Sequence, residues 1–339
     1  MGNSKTRNDQ AERAKFERRR EEEGRGREAK RPAAIPARGW KDILLRVWTQ
    51  MLEDRVTLTA AGVTFYILLA IFPALAAFVS IYGFVADPRT LADHIALLEN
   101  VLPSGGLELI RSQLERLAGQ DTDALSFGFI FGLAVALWSA NKGIKALFEA
   151  MNIAYGETEK RGFVWLNVLT LAFTLGAIVI GTAFLVSLGV IPAVLAFLDV
   201  GGWVETLVRI ARWPVMLVII AVGITLIYRY GPSRETAQLP WLTWGAALAT
   251  IVWLAASMAF SYYLENFANY NATYGTLGAA IGFLMWIWLS VVILLVGAEL
   301  NSEMEHQTAT DTTIGEPQPA GERGAVMADT LGRSADEES

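Results

Sequence analysis

Three groups of polar residues interrupt an otherwise apolar sequence, and each has a composition that can do chemistry. The first lies in "LWSANKGIKALFEAMNIAYG" (137–156), where Asn141, Lys145, Glu149 and Asn152 recur along one stripe of a helix. Amides combined with one cation and one carboxylate can line a polar vestibule, with Lys145 and Glu149 setting its electrostatic field. The alternative is a solvated helix face that holds one ordinary ion pair between residues four apart.

The second group ends the last apolar run, in "GAELNSEME" (297–305), and contains Glu299 and Asn301. A charged group near membrane depth is costly unless it has a partner or a water-filled cavity. Glu299 can therefore be a structural latch or a proton-relay carboxylate, and the latch is the preferred interpretation. The expected partner of the latch is one of three cations predicted on the same side of the membrane: Lys145, Arg229 or Arg234.

The third group lies in "ENFANYNATYG" (265–275), which has no lysine or arginine. Its candidate residues are Glu265, Asn266, Asn269, Asn271 and Tyr274. The backbone N–H and C=O groups of a turn close to the bilayer must form hydrogen bonds within the protein. Neutral amides and phenols provide such bonds without adding positive charge. The group is therefore interpreted as a well-tied outer turn, with a neutral outer-face site for sugar or lipid headgroups as the functional alternative.

The elements that position these groups follow from the distribution of apolar residues. The chain is 53% hydrophobic and 18% charged, whereas soluble domains are about 45–50% apolar. A bilayer core of about 30 Å is crossed by about 20 apolar helical residues. We therefore predict an all-α, polytopic transmembrane bundle with six spans, at residues 57–86, 125–141, 163–189, 212–229, 242–264 and 276–299.

The charged residues are segregated at the two ends of the chain. Residues 1–39 are predicted to form a disordered basic tail, residues 40–305 the membrane domain, and residues 306–339 a disordered acidic tail. Trp40 to Arg55 has the pattern of an amphipathic helix, which fits either the membrane interface or the inner end of the bundle. The first outer loop is predicted to form a helical hairpin, and Pro73 is predicted to kink the first span.

Lysine and arginine are denser in the loops that share a side with the N-terminus, which predicts that both termini are cytoplasmic. The basic N-terminal tail is expected to contact anionic lipid headgroups rather than nucleic acid. The chain has no cysteine, so thiolate chemistry and disulfides are excluded. The two histidines, His94 and His306, are predicted on opposite sides of the membrane, so no metal centre, cofactor or enzymatic activity is expected, and a metal-dependent nuclease is rejected.

Several stretches carry a resemblance to a known family, among them "LTAAGVTFYILLAIFPALAAFVSIYG" (58–83), "YNATYG" (270–275) and "LLVGAELN" (294–301). Residues 40–305 resemble the YihY/virulence factor BrkB family, which implies a bacterial inner-membrane protein of about six spans. Members were once labelled ribonuclease BN, a label regarded as a misassignment, and the family has no established biochemical activity. Some members are linked to serum resistance or have been proposed to move envelope lipids.

Two functions are weighed on this basis. The leading hypothesis is a transporter or flippase-like protein whose substrate is a lipid or other amphipathic envelope component. The alternative is a non-transporting structural or partner-recruiting envelope protein. A transporter is expected to show a polar cavity that reaches the Asn141–Asn152 stripe or Asn271, whereas a scaffold is expected to bury these groups in mutual hydrogen bonds.

Overall fold

Long helices make up most of the computed structural model, which describes residues 14–82, 127–185, 202–266 and 277–337. A short 3-10 turn at Pro32–Ala34 precedes the first long helix. The helices are α1 (Ala37–Glu53), α2 (Val56–Tyr82), α3 (Phe127–Ala154), α4 (Phe163–Leu185), α5 (Gly202–Tyr230), α6 (Leu239–Asn266), α7 (Leu277–Glu305) and the single turn α8 (Val326–Asp329). The all-α prediction is confirmed for the described residues.

Four described helices are long and apolar enough to cross a membrane: α4, α5, α6 and α7. The α1–α2 pair, bent by 59° between its two helices, makes a fifth candidate if it is counted as one span. Large apolar side chains point outward from these helices, such as Val179, Ile210 and Ile251, which are each about two-thirds exposed. A lipid solvent stabilises such a surface, so the chain is a multi-pass membrane protein.

Helix α7 is the centre of the bundle and packs against α1, α2, α3 and α6. The main apolar core lies around it and includes Tyr155, Tyr228, Leu242 and Leu295, all 1% exposed or less. Pro73 lies inside α2, and every residue of α2 from Val56 to Tyr82 is helical. The kink predicted at Pro73 stays a prediction. A bend of 59° lies at the α1–α2 junction, where Arg55 has a φ of 49°. A side chain larger than glycine seldom adopts this conformation, so the junction is strained.

The chain ends differ from the disordered tails expected from composition. Residues 14–20 are helical, and residues 306–337 form a segment that packs against α1 and α7 and buries some of its side chains, such as Gln307, Thr312 and Met327. Arg27, 2% exposed, donates a hydrogen bond to the Gly332 carbonyl oxygen at 2.8 Å. The two ends have opposite net charges, and their polar groups pair with each other, as Arg19 does with Glu337 at 3.0 Å.

Two predicted features fall outside the described residues. The helical hairpin of the first outer loop lies within residues 83–126, and the end of the third predicted span, 186–189, lies within residues 186–201. Both stay predictions.

Candidate functional site

The C-terminal end of α7 carries polar side chains into the interior of the protein. We use the name α7-end cluster for Glu299, Asn301, Glu303 and Glu305 together with the two arginines that contact them, Arg46 and Arg234. The four α7 residues are all 1% exposed or less. Buried carboxylates require cations or protons, so the partners of each group decide what the cluster can do.

Asn301 fastens α7 to α6. Its side-chain oxygen accepts a hydrogen bond from the Gly245 backbone N–H at 2.9 Å, and its Nδ2 donates to the Leu242 carbonyl oxygen at 3.2 Å. The two helices cross closely here, because a Cβ atom on Gly245 would collide with the backbone oxygen of Gly297 and with Asn301. Asn301 is therefore a helix-packing residue.

Glu303 is paired with Arg46 of α1. The guanidinium donates to the Glu303 carboxylate at 2.5 Å, to the Gln307 side chain at 2.8 Å and to the Arg333 carbonyl oxygen at 2.7 Å. His306 Nδ1 lies 3.5 Å from the same carboxylate. Arg46 thus joins α1, α7 and the C-terminal segment through one buried charge.

Glu305 is paired with Arg234 of the α5–α6 loop. The guanidinium donates to the carboxylate at 2.7 Å, and the Thr312 hydroxyl donates to its other oxygen at 2.8 Å. Arg234 also lies over the Tyr155 ring, 4.6 Å from its centroid. Among the described groups, the Tyr155 hydroxyl and Nη1 of Arg234 are buried without a hydrogen-bond partner.

Glu299 differs from its two neighbours. Neither of its oxygens accepts a hydrogen bond from an N–H or hydroxyl group within the described part of the chain. The side chain with which it interacts is the Asp54 carboxyl at the α1–α2 junction. The expected latch to Lys145, Arg229 or Arg234 is absent. Arg234, from the α5–α6 loop, pairs with Glu305, which lies closer to the C-terminal end of α7. Lys145 donates a hydrogen bond to the Asn167 side chain on α4.

The stripe predicted on α3 is one helix face, but its residues have separate partners. Asn141 is buried and accepts a hydrogen bond from Thr174 at 3.5 Å, whereas Glu149 is exposed. Asn152 is buried and accepts from the Ser233 backbone N–H at 2.6 Å. The described stripe therefore ties α3 to α4 and to the α5–α6 loop.

The loop between α3 and α4 is held by a bidentate ion pair. Arg161 donates to both oxygens of Glu159 at 2.7 Å, and to the carbonyl oxygens of Tyr230 and Gly231 at the end of α5. Partial burial opposes ionisation of Glu159, but the bonds from Arg161 outweigh it and lower the pKa of Glu159 to about 2.

The predicted outer-face group lies largely outside the described residues. Glu265 and Asn266 are the last two residues of α6, and their side chains are not described. Asn269, Asn271 and Tyr274 fall within residues 267–276, so the proposed headgroup site stays a prediction. Within the described ranges, no group of three or more His, Asp or Glu side chains is placed to hold a metal ion.

Sequence reasoning missed Asp54, Arg46 and Tyr155 as members of the site. Asp54 and Arg46 lie in the predicted amphipathic segment Trp40 to Arg55, for which no partner on the last span was predicted. A signal for their role was present, because three carboxylates at positions 299, 303 and 305 end an apolar helix and require compensation.

Comparisons with known proteins agree with this architecture. A family model described as Virulence factor BrkB matches residues 47–322. The ribonuclease-like protein YfkH of Bacillus subtilis is 28% identical over 248 residues, covering 72% of this chain and 88% of that protein. The UPF0761 membrane protein IL2447 of Idiomarina loihiensis is 30% identical over 218 residues, covering 62% and 71%.

A third relative, the UPF0761 membrane protein NTHI0384 of Haemophilus influenzae, is 22% identical over 267 residues, or 78% of this chain and 96% of that protein. No solved structure matches the chain. The family model spans the bundle from α1 through the α7-end cluster and into the C-terminal segment. The chain therefore belongs to the virulence factor BrkB family of membrane proteins.

Proposed function

We propose that this protein is a transporter or flippase-like protein that moves an amphipathic envelope component across a bacterial inner membrane. The observation that carries the proposal is Glu299, a carboxyl buried near the end of a membrane helix without a counter-ion. Ionisable groups at membrane depth are costly and mark substrate or ion pathways. A carboxyl with a structural role only is expected to be paired, as Glu303 and Glu305 are.

The proposal includes a topology of six spans with both termini in the cytoplasm. Helix α3 supplies the remaining span, because its first half, from Phe127 to Leu137, has no charged residue. The α7-end cluster then lies at the cytoplasmic end of the bundle. A reporter fused after Ser339 is expected to be active only in the cytoplasm, and activity only on the outer side would reverse the assignment.

The α1 helix is proposed to lie in the cytoplasmic interface with anionic lipid. Leu44, Trp48 and Leu52 are about 60% exposed on one side of α1, and Arg38 and Lys41 are exposed near its start. Apolar side chains combined with cations favour an anionic membrane surface. Since the chain has no cysteine, a fluorophore on Leu52→Cys can be tested for quenching by quencher-bearing lipids. An unquenched label would place α1 away from the bilayer.

Transport is tested by reconstituting the full chain in liposomes that carry a leaflet-specific labelled phospholipid. The wild type is expected to move the label between leaflets faster than protein-free liposomes. Glu299→Gln is expected to slow this movement at least tenfold, whereas Glu53→Gln, which alters an exposed carboxylate at the end of α1, is expected to preserve it. A wild-type rate equal to that of protein-free liposomes would refute transport of that lipid.

A specific observation supports the alternative of a partner-recruiting membrane protein. Asn141 and Asn152 are satisfied by neighbouring groups rather than aimed into a cavity. A cavity of about 820 Å³ instead lies between the two chain ends, lined by residues that include Lys15, Arg19, His306 and Arg333. Under this alternative, deleting residues 306–339 abolishes the cellular phenotype, whereas Glu299→Gln leaves it unchanged.

A further inference from the structure

The Glu299 carboxyl lies in a position that disfavours its charged form. The residue is 1% exposed, and neither of its oxygens accepts a hydrogen bond from an N–H or hydroxyl group among the described residues. Burying a lone carboxylate costs several kcal/mol even after the protein relaxes. On the same helix, Glu303 and Glu305 are each paired with an arginine. Among the described residues, no cation is paired with Glu299 in this way.

The group presented to Glu299 is a second carboxyl rather than a cation. Asp54 is the last residue before the α1–α2 junction, and its backbone N–H donates to the Gln50 carbonyl oxygen at 2.8 Å. The next residue, Arg55, has the strained φ of 49°, and the chain bends by 59° here. Strain of this kind persists where surrounding structure enforces it, and it concentrates at functional and switching sites.

The other ionisable groups around the pair do not neutralise it. Arg46 on α1 is bonded to Glu303, and Arg234 of the α5–α6 loop is bonded to Glu305. The Tyr228 hydroxyl on α5 donates to the Leu294 carbonyl oxygen at 2.8 Å. The remaining groups that interact with either carboxyl add negative charge or none; they are Glu53 at the end of α1, Glu303 on α7 and the Tyr155 phenol at the end of α3.

From this geometry we infer that Asp54 and Glu299 form a proton-binding site, in which one carboxyl is protonated and the two share the proton. Two carboxylates held together do not both ionise readily, because their charges repel. A proton also fits the site better than a metal ion does. Magnesium and calcium require about six or more oxygen ligands, whereas this site presents two carboxyl groups.

The protonation state of the site determines how well the α1–α2 junction tolerates its contact with α7. With the proton bound, the pair has one negative charge at most and tolerates the contact between the α1–α2 junction and α7. Loss of the proton leaves two carboxylates facing each other, and their repulsion drives the strained junction away from α7. The coupling of this movement to substrate translocation rests on the proposed transport function, whereas the proton site itself does not.

The test is infrared difference spectroscopy of the full chain in lipid nanodiscs during a pH titration. A protonated buried carboxyl gives a carbonyl stretching band that is separate from carboxylate bands. We expect this band at neutral pH in the wild type and its loss in Glu299→Gln. In Asp54→Asn the band is expected to disappear at a lower pH than in the wild type, because the repelling carboxylate is gone. The matched control, Glu53→Gln, changes an exposed carboxylate one residue from Asp54 and is expected to retain the band.

The possible results separate the site from the transport function. A wild type without the band, or a band that persists in Glu299→Gln, would overturn the inference. Loss of the band on adding sodium chloride at constant pH would identify a cation site and overturn it equally. If Glu299→Gln fails to fold, Asp54→Asn decides the outcome, and loss of its band at the same pH as in the wild type would overturn the inference. A band with the expected behaviour and no lipid movement in liposomes would retain the proton site and refute transport.

Discussion

Replacing Arg46 with methionine is expected to release the C-terminal segment from the bundle. Methionine retains the aliphatic length of the side chain but removes the hydrogen bonds to Glu303, Gln307 and the Arg333 carbonyl oxygen. Glu303 is then left buried, 1% exposed, and His306 Nδ1, 3.5 Å away, is its remaining ion-pair partner among the described residues. Breaking a buried ion pair by removing one partner costs about 3–5 kcal/mol.

That cost converts directly into an assay signal. Because each 1.4 kcal/mol is tenfold in an equilibrium, the population of the released segment rises by roughly a hundredfold to a few thousandfold. Trypsin reports this population through cleavage after Arg323, which is 7% exposed and donates to the Ala328 carbonyl oxygen at 2.6 Å. Limited proteolysis followed by mass spectrometry measures the rate.

Two further variants test whether the Arg46 contacts hold the C-terminal segment. Arg38→Met changes an exposed arginine on the same helix and is expected to leave the cleavage rate at the wild-type value. The double variant Arg46→Met/Glu303→Leu removes both charges and is expected to recover most of the protection, since no buried charge remains unpaired. Equal cleavage rates for Arg46→Met and Arg38→Met would show that the Arg46 contacts do not hold the segment.

Two other predictions concern the helix crossing and the α3–α4 loop. Gly245→Val is expected to destabilise the fold by at least about 1–3 kcal/mol, because the new side chain collides with the backbone at Gly297; Gly282→Ala, with 3.6 Å of clearance, is the control, and equal melting temperatures would contradict the close crossing. The pKa of Glu159 is lowered from 4.5 to about 2 against its partial burial, mainly by bonds from Arg161, so its stabilisation is complete above pH 4.5 and lost as the pH falls toward 2. Melting temperatures across this range should fall more in the wild type than in Arg161→Leu, and parallel curves would exclude the role of the pair.

The helical bundle could be predicted because each helix is encoded locally. The run at 242–264 has enough apolar residues to cross a bilayer, and the structure places α6 at Leu239–Asn266. The run at 212–229 is part of a longer helix that begins at Gly202 and passes through Pro214. The prediction followed the run with almost no charge, whereas the helix also includes the charged residues that precede it, such as Glu205 and Arg209.

The candidate site was predicted only in part. Glu299 and Asn301 lie buried at the end of an apolar helix, but the groups that contact them were not predicted. Asn301 bonds to the backbone of α6. A backbone partner cannot be predicted from the pattern of side chains, because every residue type has the same backbone groups. Glu299 faces Asp54, which lies about 245 positions earlier in the chain. Spacing within a single helix predicts only contacts between residues three or four positions apart.

The sequence by itself determined that this protein is an all-helical membrane protein, because a bilayer accepts only segments that satisfy their own backbone hydrogen bonds and present apolar side chains. Tertiary structure decided which buried charges were neutralised. Arg46 and Glu303 are separated by 257 positions, and Arg234 and Glu305 by 71. Only the packing of α1 and the α5–α6 loop around the end of α7 assigns one arginine to each of these carboxylates and leaves Glu299 facing Asp54.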